Sequence, residues 1–221
     1  MRTLQAFSTS IGTKLLLALT GLALVGFLIV HLAGNLLLFF GPAHFNDYAH
    51  ALISNPLIIP AELGLLAIFL LHAIKAVLNV IANRAARRVG YETKKWAGGP
   101  SRKSWASTSM IVTGVLTLLF VPLHLITFKY GPSYSGADGV RDLYRLVIEV
   151  FQSPWYVAYY VVMMVIVGLH LRHGVSSGLQ SLGLIPERWT RAFLGAGIGL
   201  ALVVGGGFVL IPIYIYLFIR P

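Results

Sequence analysis

Four histidines are the residues whose type and setting could do chemistry. His31, His72, His124 and His170 each lie inside a long apolar run, one to a run. An imidazole deep in hydrocarbon is costly without a partner, so such a residue is by default a functional hypothesis. Neutral imidazole can ligate a metal, relay a proton or bond a neighbouring helix. The run from Gly26 to Gly41 shows the setting: only His31 is ionisable in it, and Asn35 follows one helical turn later.

Depth sorts these histidines into pairs. At about 1.5 Å of helical rise per residue, His31 is roughly 15 Å and His124 roughly 8 Å below the outer ends of their spans. His72 and His170 come out at roughly 22 and 24 Å. His31 and His124 therefore share the outer half, and His72 and His170 the inner half. Bis-histidine ligation of a b-type haem needs two imidazoles facing each other across a bundle. Two such pairs, one above the other, would make a transmembrane electron path. Gly26, Ala33, Gly34, Ala73, Ala76, Gly168 and Gly174 are small residues that could let a flat macrocycle approach. A proton relay is the main competing reading, but relays recruit membrane-embedded carboxylates. The one acid in a span is Glu62, near an outer end. A zinc site is disfavoured because its ligands would be split between two depths.

His173 follows His170 by three residues on nearly the same helix face. Either could ligate; His170 is deeper and not adjacent to Arg172, which favours it and leaves His173 as a neighbour of the ligand or a haem propionate. Lys75 and Arg172 could pair with propionates or snorkel to headgroups. Asn35 and Lys129 are polar neighbours for an outer haem. Asp47, His50 and Glu62 are candidates for a quinone site near the outer face, and His50 could equally be an interfacial polar residue, as could His44.

Elements that could hold these residues follow from composition. Of the 221 residues, 57% are hydrophobic and 11% are charged, with a mean hydropathy of +0.80. A soluble domain carries about a quarter charged residues. The expectation is an all-α polytopic membrane protein with spans at about 14–40, 58–82, 107–128, 154–178 and 192–218, forming one domain over 1–221. Pro122 should kink the third span. The net charge of +10 reflects loop lysines and arginines and does not call for nucleic acid. Seven of them lie between Arg84 and Lys103, whereas residues 41–57 hold none. The positive-inside rule then puts the N-terminus inside and the C-terminus outside. The absence of cysteine excludes disulfides, thiolate-held iron–sulfur clusters and covalently attached c-type haem. The first apolar run is too long for a signal-peptide core, so no cleaved leader is expected.

With these motifs assembled, the chain resembles the membrane anchor of the succinate:quinone oxidoreductases, in the single-subunit, five-helix, di-haem cytochrome b class. The carrying motifs are Phe27-Leu-Ile-Val-His31-Leu-Ala-Gly-Asn35, Phe45-Asn-Asp-Tyr-Ala-His50 with Ser54-Asn-Pro56, Leu71-His72-Ala73, Val121-Pro-Leu-His124, and Gly168-Leu-His170 followed by Arg172-His-Gly-Val-Ser-Ser177. They run in order over nearly the whole chain. The resemblance implies an outer haem b on His31 and His124 and an inner haem b on His72 and His170. It implies a flavoprotein subunit that oxidises succinate and an iron–sulfur subunit, both on the inner face. Electrons would pass through the haems to a quinone, commonly menaquinone, in the cytoplasmic membrane, as part of the respiratory chain. The succinate chemistry would lie on the partners and no catalytic residue on this chain. Complexes could assemble further into higher oligomers. Some fumarate reductases of the class carry a glutamate two residues before the fourth ligand; that position is Gly168 here. Others carry an acid in the first outer loop, where Ile53 stands. Both departures favour a succinate dehydrogenase over a fumarate reductase anchor running in reverse. A haem-free proton-coupled transporter or scaffold is the alternative from another class.

Overall fold

In lipid, every backbone N–H and C=O must be satisfied within its own segment, and an α-helix does this. A computed structural model describes residues 9–85, 109–136 and 139–219, and among them there is no β-strand. Five helical segments are long and apolar enough to cross a membrane: Ile11–Phe40, Ile58–Ala85, Met110–Lys129, Pro154–Ser181 and Glu187–Phe218. Their limits lie within a few residues of those expected from sequence. The arm before Thr9 lies outside the described residues. So does most of the basic stretch between Arg84 and Lys103.

Helix α1 (Ser10–Leu36) starts at Thr9, whose hydroxyl accepts a hydrogen bond from the Gly12 amide at 3.0 Å, and ends in a 3-10 turn over Leu37–Phe40. Gly41 then turns the chain with φ +94°, a conformation that needs a residue without Cβ. Pro42 opens α2 (Pro42–Ile53), where its missing N–H costs nothing. Helix α3 (Ile58–Ala85) is the second span. Helix α4 (Met110–His124) contains Pro122 and passes into a π-helical turn over Leu125–Lys129. Proline removes one ladder bond, and the π turn lies directly after it. Helix α5 (Leu143–Phe151) is short and strongly amphipathic. Helices α6 (Pro154–Ser181) and α7 (Thr190–Phe218) are the last two spans.

Both outer connections, expected as loops, contain helices. They form a cap. Asn46 of α2 donates to Asp142 at 2.8 Å and accepts from the Tyr144 amide at 2.9 Å. Asp142 is also the N-cap of α5, accepting from the Arg145 amide at 3.0 Å. Arg141 donates to the carbonyls of Phe128 and Lys129 at the end of the π turn, where a cation suits the helix dipole.

Around the bundle the main backbone contacts run from α1 to α3, α3 to α4, α4 to α6, and α6 back to α1. That order sets α1 diagonal to α4 and α3 diagonal to α6. Helix α7 packs behind, most extensively on α6 and also on α1. Small residues allow this approach. A methyl on Gly205 would stand 3.0 Å from the Gly168 Cα, and one on Gly207 would stand 2.8 Å from the Leu32 side chain. Gly168, read from sequence as room beside a ligand, instead faces the α7 backbone. Gly34 likewise lies against the Tyr48 ring.

Candidate functional site

Each diagonal of the bundle carries one histidine pair. His31 on α1 and His124 on α4 lie ring to ring, with centroids 5.9 Å apart and planes at 89°. Aromatic rings surround them. Phe27 stacks on His31 at 5.2 Å, and Phe208 of α7 lies 5.7 Å from it. Phe120 stacks on His124 at 5.5 Å, and Phe128 meets it at 5.4 Å. Periodicity explains this box. Phe27 precedes His31 by one turn, and Phe120 and Phe128 flank His124 by one turn on either side. The Asn35 amide donates to the His31 carbonyl at 2.8 Å and lies 3.5 Å from His31 Nε2.

The inner diagonal joins α3 and α6. His72 and His170 are electrostatic neighbours there, and His173 is a third. Each of the two deeper rings is seated against an odd-numbered span of the sequence. His72 Nδ1 is 3.1 Å from the Thr20 hydroxyl of α1, and His170 Nδ1 is 3.1 Å from the Thr113 hydroxyl of α4. In the outer pair, His124 Nδ1 faces the Tyr160 hydroxyl at 3.3 Å. The two threonines were not singled out in the sequence, and Tyr160, which reads from sequence as part of an interfacial aromatic belt, is instead buried against His124. A hydroxyl in an apolar helix looks like a backbone-bonded packing residue until the facing helix is known.

Paired imidazoles fit a macrocyclic metal group on chemical grounds. Haem supplies four equatorial nitrogens, leaving two axial positions for protein. An iron held at about 2 Å from each imidazole nitrogen would separate the ring centroids by roughly 6 Å. The outer pair has that separation. Among the described residues, no three His, Cys, Asp or Glu side chains gather as a bare-metal site would require. A methyl on Gly26 or on Gly174 would meet nothing within 4 Å, so both leave open space beside the histidine-bearing helices.

The remaining candidates are scattered. Lys129 pairs with Glu62, tying the π turn to the start of α3, so these two residues occupy each other. Asp47 and His50 are exposed on α2. His50 accepts from Ser54 through its carbonyl. Lys75 is half-buried one turn after His72, and Arg172 is exposed. A cavity of about 420 Å³ opens at the outer end between the π turn, α5 and Tyr156, with Thr127, Tyr134 and Glu149 in its wall. Asp47, His50 and Glu62 do not line it. Glu149 accepts from Tyr134 at 2.6 Å and from Arg145 at 2.7 Å. Those two donors hold its carboxyl below the ordinary range.

Comparison with known proteins returns no match to the chain among family models, curated proteins or solved structures.

Proposed function

We propose that this chain is the di-haem cytochrome b membrane anchor of a succinate:quinone oxidoreductase, carrying electrons from an iron–sulfur partner on the inner face to a membrane quinone, menaquinone in the first instance. The observation that carries the reading is the arrangement of four histidines as two diagonal pairs, one nearer each face. Packing alone does not call for imidazoles matched across both diagonals of one bundle. Bound haem would supply a reversible one-electron site at each depth. His31 and His124 would hold the outer group, and His72 and His170 the inner one. His170 is preferred to His173 because its Nδ1 is already engaged by Thr113, which leaves Nε2 to ligate. Phe27, Phe120, Phe128 and Phe208 exclude water from the outer pair. The cavity lined by Thr127, Tyr134 and Glu149 gives a quinone headgroup room, and the Glu149 carboxylate there accepts hydrogen bonds, which suits the hydroxyls of a quinol.

The test is a tagged chain purified from its native membrane and exposed to succinate. The expected result is co-purification of a flavoprotein and an iron–sulfur subunit, with succinate reducing the b-type absorbance. A haem-bearing chain without such partners and indifferent to succinate would overturn the assignment while leaving the haem pairs standing.

A further inference from the structure

The first and third spans share a pattern around the seats of the inner histidines. Thr20-Gly21 precedes His31, and Thr113-Gly114 precedes His124, each as Thr-Gly, nine residues, His. Eleven helical residues return to nearly the same face and rise about 16 Å. Helices α1 and α4 therefore each present one outer imidazole and, three turns inward on the same face, one Thr-Gly pair. Each pair receives a histidine from the next span of the chain: Thr20 takes His72 of α3, and Thr113 takes His170 of α6.

Each threonine hydroxyl lies within hydrogen-bond distance of a carbonyl of its own helix, the ordinary acceptor for a threonine hydrogen inside a helix. Thr20 Oγ1 donates to the Leu16 carbonyl at 2.6 Å. Thr113 Oγ1 donates to the Met110 and Ser109 carbonyls at 3.1 and 3.2 Å. A hydroxyl so committed can only accept from a third group. With the hydroxyl hydrogen given to the helix carbonyl, the histidine donates to the threonine from Nδ1, and Nε2 keeps its lone pair. The glycine completes the seat. A methyl on Gly21 would stand 3.1 Å from His72 Cε1, and one on Gly114 would stand 3.3 Å from His170 Cε1. Either added methyl would require the ring to give by a few tenths of an ångström.

We infer that Thr20-Gly21 and Thr113-Gly114 are twin seats that fix the Nδ1–H tautomer and ring orientation of His72 and His170, so that both inner imidazoles present Nε2 as an axial ligand. These are positioning residues, and the inference rests on the di-haem reading above. The tautomer held by an acceptor also makes the ligating nitrogen more electron-rich, which favours the oxidised metal.

The experiment is redox titration of the purified complex bearing Thr20→Val or Thr113→Val, with Thr→Ser at the same positions as the conservative control. The outer haem serves as reference in the same molecule. The valine variants should raise the midpoint potential of the inner haem and weaken its retention by about 10- to 100-fold, as loss of an outer-shell partner does. The outer haem should not move, and the serine variants should match wild type. If the valine variants fail to accumulate, alanine against serine at the same positions reads the same shift. An inner haem with unchanged potential and retention in the hydroxyl-free variants overturns the inference and leaves the di-haem reading intact. A wild-type chain that binds no haem overturns both.

Discussion

His31 and His124 meet edge to face within an aromatic box, whereas His72 and His170 are held by threonine hydroxyls on neighbouring helices. The two pairs thus differ in what orients them, and their variants should differ accordingly. Alanine at His31 or His124 should remove one haem per chain and spare the other. Alanine at His72 or His170 should remove the second. Alanine at His173, which has no role as ligand in this account, should leave both bound. Low-temperature difference spectra, in which the two haems resolve, would check this pattern. The four histidines stood out in the sequence because each lies well inside its own apolar run, whereas Glu62 lies near a span end. The threonine partners of the inner histidines did not, since Thr20 and Thr113 acquire meaning only when the facing helix is placed. Lys129 and Glu62 were read separately, and their pairing across two spans required the fold.

At the scale of elements, the five spans follow from hydropathy, and their ends from glycine, proline and charge. The helices α2 and α5 were hidden because their polar faces resemble loop composition over so few residues, although the face of α5 that packs inward buries Leu146, Val147, Ile148 and Phe151. Gly168 shows a related limit: a small residue signals close approach but does not name the neighbour. Its neighbour is Gly205 of α7, at backbone contact, while a methyl on Gly206 would meet nothing within 4 Å. Gly205→Ala should therefore destabilise the α6–α7 pair by about 1–3 kcal/mol through overpacking against a backbone that cannot rotate away. Gly206→Ala should be neutral or stabilising by up to about 1 kcal/mol, since alanine is the better helix former. Thermal unfolding of the two variants in detergent compares them directly.

For the whole molecule, the ring order α1, α3, α4, α6 turns chain order into two diagonals. Consecutive spans are neighbours, so the first and third face each other, as do the second and fourth. Placing one histidine high on the first and third and low on the second and fourth yields two stacked pairs. Helix α7 lies outside this ring, which agrees with its lack of histidine and charge between Ala192 and Phe218. By the positive-inside rule, the basic sequence from Arg84 to Lys103 predicts that the end of the bundle it adjoins faces inward, which is where the proposed electron-donating partner is expected. The central claim is that this bundle holds two haems. Its most direct test is a dithionite-reduced minus oxidised spectrum of the purified chain, with pyridine haemochrome quantitation per polypeptide. The account predicts two b-type haems per chain. A well-folded preparation, made with ample haem supply and carrying none, would contradict it.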